Sequence, residues 1–192
     1  MKTAIILHGM PPKEEYFDPE SPSPSNKYWL PWLQRHLILN GVLAQAIELP
    51  EPYEPVYEKW CSVFEQFHVD KETMLVGHSC GAGFLVRWLS ENKINVGKVA
   101  LVAPYLDSKH ELETDFFHFS IDEDVAQRTV AIKIFSSKDD DDGVIESTDL
   151  FRKRVKDVLI EEFVDRGHFT YGDMKTEQFP ELLEFLIAEQ HA

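Results

Sequence analysis

Apolar positions along the chain fall into two kinds of block. "TAIIL" (3–7), "TMLVG" (73–77), "KVALVAPYL" (98–106) and "TVAIKIFSS" (129–137) are short runs, apolar nearly throughout, as in strands buried on both faces. "AQAIELP" (44–50) and "LIEEFVD" (159–165) are weaker versions. The blocks between them carry helical spacing. Trp29, Trp32, Leu33 and Leu37 share one face of a predicted helix over 28–41, closed by Gly41. Val56, Trp60, Val63 and Phe67 form a stripe over 55–67, and Ala82, Leu85, Val86 and Leu89 another over 82–92. "STDLFRKRVKD" (147–157) predicts a helix starting at a Ser/Thr cap. A last helix over 179–190 shows Phe179, Leu182, Leu183 and Leu186 on one side. Strands alternating with helices predict an α/β fold: a three-layer α/β/α sandwich around a mostly parallel sheet. Two segments break the rhythm, a Pro/Ser/acidic loop at 11–27 and an acidic stretch at 107–128 that holds Phe116, Phe117 and Phe119.

The 192 residues are 43% hydrophobic, enough for one domain spanning 1–192 without disulfide or metal staples. Two cysteines, Cys61 and Cys80, speak against a disulfide-built secreted domain and for a reducing cytoplasm. The apolar part of "MKTAIILHGM" is too short for a signal peptide, and no run reaches membrane-spanning length. Nineteen basic residues against 34 acidic ones leave a formal net charge of -15, which disfavours nucleic acid and anionic membranes as partners. The basic run "RKRVK" (152–156) has helical spacing and reads as a solvated face. No oligomeric state follows from the sequence.

Candidate chemistry centres on "MLVGHSCGAGF" (74–84), where a strand ends and a helix begins. Gly77-His78-Ser79-Cys80-Gly81 fits G-x-S-x-G, the turn that presents a nucleophilic serine at the carboxyl edge of a parallel sheet. A side chain at either glycine position would collide with the neighbouring backbone, and the helix that follows aims free N–H groups at developing negative charge. A Walker A lysine and a G-x-G-x-x-G motif are both absent. A serine needs a base, and the base an orienting acid. Of the later histidines, His110 and His118 sit in the acidic stretch and His191 in the tail. His168 follows a strand in a Gly-His turn and precedes the last helix, which suits a base. After "AIKIF" stand Asp139, Asp140, Asp141 and Asp142, any of which can supply the acid, with Asp107 after the preceding strand as the next choice. An EF-hand register ending at Gly143 would place Lys138 at the first ligand position, and His8 has no partner at metal-ligand spacing, so neither metal nor cofactor is expected. The backbone N–H groups of Cys80 and of Met10, in "LHGM" after the first strand, are the expected oxyanion hole.

The sequence resembles the small serine hydrolases of the retinoblastoma-binding-protein and YdeN type, within the alpha/beta-hydrolase superfamily. The resemblance rests on "ILHG" (6–9), "YWLPWLQRHL" (28–37), "ELPEP" (48–52), "LVGHSCGA" (75–82), "ALVAPY" (100–105), "FSSKDD" (135–140) and "RGHF" (166–169). It implies a compact hydrolase fold without a large cap, with Ser79 as nucleophile and His168 as base. The family's Ser-x-Asp-Asp turn selects Asp140, whereas counting back from Val144 selects Asp141; Asp140 is preferred. The expected activity is carboxylesterase-like, on a small ester or amide. The rival reading is a catalytically silent member of the fold acting as a binding module.

Overall fold

Six strands run parallel in the order β2-β1-β3-β4-β5-β6: β1 (Thr3–Leu7), β2 (Leu43–Ile47), β3 (Thr73–His78), β4 (Val96–Val102), β5 (Thr129–Ser137) and β6 (Val158–Phe163). The structure is a computed structural model describing residues 1–189 apart from Glu111 and Glu113. Successive residues of a strand point to opposite faces, so each strand feeds two cores. Ile5, Leu7, Leu75, Leu101 and Ile134 pack on the face covered by α3 (Tyr57–Phe64) and α4 (Cys80–Asn92). Ala4, Ile6, Val76, Val102 and Phe135 pack under α2 (Leu30–Leu39) and α7 (Pro180–Ile187). The chain leaves β1 towards β2, then returns past β1 to build β3 to β6 on the other side. That reversal opens a crevice beyond the carboxyl ends of β1 and β3, where open α/β sheets bind ligands.

All six predicted strands form, and three helices differ in phase or extent from the sequence reading. In α3 the buried residues are Tyr57, Trp60 and Phe64, while Val56 is exposed and Val63 and Phe67 are half-buried. Val56 lies before the first helical turn, and the larger rings win the interior: Tyr57, Trp60 and Phe64 all pack against Phe84. The helix expected at 147–157 starts earlier, as α5 (Asp142–Arg154), with Asp141 at its N-cap. Ser147 and Thr148 are therefore buried mid-helix rather than a cap. Ser147 Oγ donates to the Gly143 carbonyl at 2.6 Å and accepts from Leu106 N–H at 3.0 Å. The last helix ends at Ile187; the predicted end Gln190, and His191, lie outside the described residues. No helix among the described residues is long and apolar enough to cross a membrane.

Burial anchors described residues of both irregular segments. Residues 11–27 contain α1 (Lys13–Tyr16) and a 3-10 turn, Pro24–Asn26. Lys27 is buried and ion-paired with Glu15, and Ser25 N–H donates to the Glu48 carboxylate at 3.0 Å. In 107–128, Phe116 is fully buried with its ring 4.9 Å from Trp60, and the Arg87 guanidinium holds the carbonyls of Asp115 and Phe116. A further short helix, α6 (Tyr171–Met174), lies between β6 and α7.

Candidate active site

Ser79 stands between β3 and α4 at φ 54° and ψ -122°, a conformation that costs a non-glycine residue roughly 1–3 kcal/mol. Its surroundings over-determine it. Ser79 N–H donates to the Val102 carbonyl at 2.9 Å, and the Ser79 carbonyl accepts from Ala82, Gly83 and Tyr105. The two motif glycines have no room for a side chain. A Cβ on Gly77 would lie 2.6 Å from Ala82 N, and one on Gly81 would lie 2.3 Å from the His8 carbonyl oxygen. Both obstacles are backbone and cannot swing aside, which is why this turn needs glycine at both places.

His168 lies on the turn between β6 and α6. Its Nδ1–H donates to Asp140 Oδ1 at 2.9 Å, with the Asp140 side chain 1% exposed and that of His168 28% exposed. Asp141 and Asp142 are exposed, and Asp107 bonds elsewhere, to Tyr105 Oη and Leu112 N–H. His110 and His118 pack on each other with ring centres 5.5 Å apart, and neither lines the Ser79 cleft.

Three further side chains hold the His168 turn, a task not expected of them from the sequence. Asp139 accepts from Gly167 N–H at 2.9 Å and from Ser137 Oγ at 2.5 Å; the Ser137 hydroxyl and then that N–H hold its carboxyl below the usual range. Asp173 accepts from His168 N–H at 3.1 Å and from Thr170 Oγ1 at 2.7 Å, closing a capping box at the start of α6. The Thr170–Asp173 spacing is the available signal for it. The third is His78, whose Nε2–H donates to the His168 carbonyl at 2.8 Å. Burial first, and then the neighbouring His168 ring, push His78 down to about 3, so it is a neutral donor at ordinary pH. Nothing in the sequence marks it beyond its variable place in the motif.

On the opposite wall, His8 orients the predicted oxyanion loop. Leu49 N–H donates to His8 Nε2 at 3.0 Å, so Nδ1 carries the proton and donates to the Gly9 carbonyl at 2.8 Å. Burial lowers the His8 pKa and keeps the ring neutral. A trans peptide holds its N–H opposite its carbonyl, so pinning the Gly9 oxygen turns the Met10 N–H away from His8. Burial raises the neighbouring Cys80 thiol to about 12, partly opposed by the Ser79 side chain and the Met10 backbone. His8, Met10, Lys27, Tyr28, Ser79 and His168 line one cleft of about 50 Å³. Met10 also lines a hollow of about 330 Å³ with Tyr53, Pro55, Val56 and Leu112. The phenylalanines of 107–128 lie apart from Ser79: Phe116 is core, while Phe117 and Phe119 line a separate cavity of about 350 Å³ with Asp107 and His110.

The layers, the strand order and the serine turn define an alpha/beta-hydrolase fold. Within it, the chain belongs to the serine hydrolase family, whose model, described as "Serine hydrolase", matches residues 22–186. It is 30% identical over 127 residues to YdeN of Bacillus subtilis (strain 168). That match covers 60% of this chain and 65% of YdeN, just under two thirds of the relative's length. The crystal structure of the Bacillus subtilis ydeN gene product superposes with a TM-score of 0.80 at 23% identity, covering 97% of each chain. An esterase of Exiguobacterium antarcticum, EaEST, gives 0.61 at 15% identity, covering 97% of this chain and 91% of its own. FphF of Staphylococcus aureus, a fluorophosphonate-binding serine hydrolase, gives 0.57 at 14% identity, covering 98% and 84%.

Proposed function

We propose that this hydrolase cleaves a carboxylic ester through an acyl-enzyme on Ser79. The observation that carries the reading is the 2.9 Å bond from His168 Nδ1 to Asp140, with His168 and the strained Ser79 lining one cleft. Because Nδ1 carries the proton, Nε2 is free to accept one. Ser79 Oγ attacks the carbonyl carbon as its proton passes to His168 Nε2, and Asp140 stabilises the imidazolium. The N–H groups of Met10 and Cys80 hold the oxyanion. Collapse expels the alcohol, which takes the proton from His168. Water then attacks the acyl carbon, delivers a proton to His168, and releases the carboxylic acid while Ser79 regains its hydrogen.

The narrow cleft at Ser79 and the largely apolar hollow beyond Met10 suit a small substrate with one apolar end. The likeness to an esterase makes an ester the first bond to test, with an amide second. Both thiols are free, which fits a reducing compartment such as the cytoplasm. A fluorophosphonate reagent is expected to label Ser79 in the wild type and to leave Ser79→Ala unlabelled, with hydrolysis of short p-nitrophenyl esters lost in parallel. An unlabelled wild type, or a Ser79→Ala variant of full activity and unchanged circular dichroism, would remove the proposal. The loss is expected to be several powers of ten, on the order of 10⁴ or more in kcat.

A further inference from the structure

Behind the Asp140–His168 pair lies a cavity of about 130 Å³, between the end of β5 and the first turns of α5. Three of its lining residues, Ser136, Asp140 and Thr148, each carry a buried oxygen with no hydrogen-bond partner: Ser136 Oγ, Asp140 Oδ2 and Thr148 Oγ1. Ser136 and Thr148 are 8% and 5% exposed, and the Asp140 side chain 1%. Buried polar atoms are almost always satisfied, so three orphans around one space point to an occupant. A carboxylate oxygen repels an anion and requires a hydrogen-bond donor. The cations at the mouth are already paired, Lys138 with Glu162 at 3.2 Å and Arg152 with Asp149 at 3.7 Å. Three oxygens with a single charge among them are a poor shell for a metal ion, and a cation there would cancel the charge that faces His168. A small neutral molecule that both donates and accepts fits all three. The space is roomy enough for water.

We propose that this cavity is a water-binding site whose occupant bridges Asp140 Oδ2 to the hydroxyls of Thr148 and Ser136. The two hydroxyl residues are then positioning residues that act through Asp140. This rests on the reading of Asp140 and His168 as partners of Ser79. The torsion that rotates a carboxylate is soft; Asp141 N–H holds Oδ1 at 2.8 Å beside the His168 bond, and a donor on Oδ2 completes the hold. The same donor draws charge away from Oδ1. Removing it concentrates charge beside the imidazolium, which holds its proton more tightly.

The test is the pH dependence of the rate at which a fluorophosphonate labels Ser79. Thr148→Val, nearly isosteric but without the hydroxyl, is expected to move the acid limb of that profile up by about half a pH unit or more. Thr148→Ser, which keeps the hydroxyl, is expected to stay with the wild type. A Thr148→Val profile that superposes on the wild type overturns the proposal even when labelling itself succeeds. Should Thr148→Val not fold, Ser136→Ala is expected to show the same shift, and an unshifted Ser136→Ala profile overturns the proposal equally. If Ser79 takes no label at any pH, the proposed function fails, and a high-resolution crystal map decides this point alone. Water within hydrogen-bonding distance of Asp140 Oδ2 in the wild type and missing in the variant supports the site; no water there, or a metal ion, overturns it.

Discussion

Asp139, Asp140, Asp141 and Asp142 share one side-chain chemistry and occupy four different settings. Asp139 fastens the Gly167 N–H, Asp140 meets the imidazole, Asp141 is the N-cap of α5, and Asp142 is exposed in its first turn. A negative charge in a first turn is favoured by the helix dipole by only a few tenths of a kcal/mol. Asparagine at each position removes one charge from the same few ångströms of chain, so the run supplies its own control. Asp140→Asn is expected to lower kcat on a p-nitrophenyl ester by about 10³–10⁴-fold, because an amide no longer favours the productive tautomer of His168. Asp142→Asn is expected to stay within about two-fold of the wild type. Equal losses at both positions would show that the run acts as a diffuse field and that Asp140 has no special part.

At the scale of elements, a buried hydroxyl ties α5 to the chain leaving β4. Ser147 is fully buried and takes the Leu106 N–H, a backbone donor with few alternatives in a closed interior. Ser147→Ala strands that donor, at an expected cost of about 1–3 kcal/mol in urea unfolding. An unchanged midpoint would mean that Leu106 finds another partner. The phase of α3 follows similar logic. Its ends are weakly specified by local signals, and the large rings of Tyr57, Trp60 and Phe64 turn the helix to meet Phe84. Val63, a member of the predicted stripe, is displaced to the margin because it brings less area to the same face.

For the whole molecule, two buried neutral histidines couple folding to pH. The His78 pKa drops to about 3 in the folded state, against roughly 6.5 unfolded. The unfolded chain therefore binds more protons below about pH 6.5, and stability falls as pH falls through the window down to about 3. His78 alone is expected to contribute a loss of about 2 kcal/mol between pH 7 and pH 5. The His8 pKa is lowered too and adds in the same direction. Partial neutralisation of the chain's net charge of -15 works against this loss. Urea midpoints at the two pH values check the balance. A protein as stable at pH 5 as at pH 7 would mean that charge relief outweighs the buried rings.

What can be read from the chain alone is what short-range physics encodes. Apolar runs and helical spacing specify the alternation of strands and helices, and the chirality of parallel crossovers leaves few ways to stack them. The Gly77–Gly81 turn is legible because its steric demands fall on five consecutive residues. The turns that bear Met10 and His168 are legible from their places at strand ends. Whatever depends on residues far apart in the chain is settled by the folded molecule. Which aspartate meets His168 depends on a contact across 28 positions, and the bond from His78 to the His168 carbonyl spans 90. The start of α5 escapes a local reading because Ser147 and Thr148 look like a cap, whereas burial assigns Ser147 to Leu106 and faces Thr148 to the cavity behind Asp140. Local patterns set which elements form, since each is stabilised within a few turns of chain. The partners of buried polar groups are chosen only when the layers close, because only then does leaving one unpaired carry a cost.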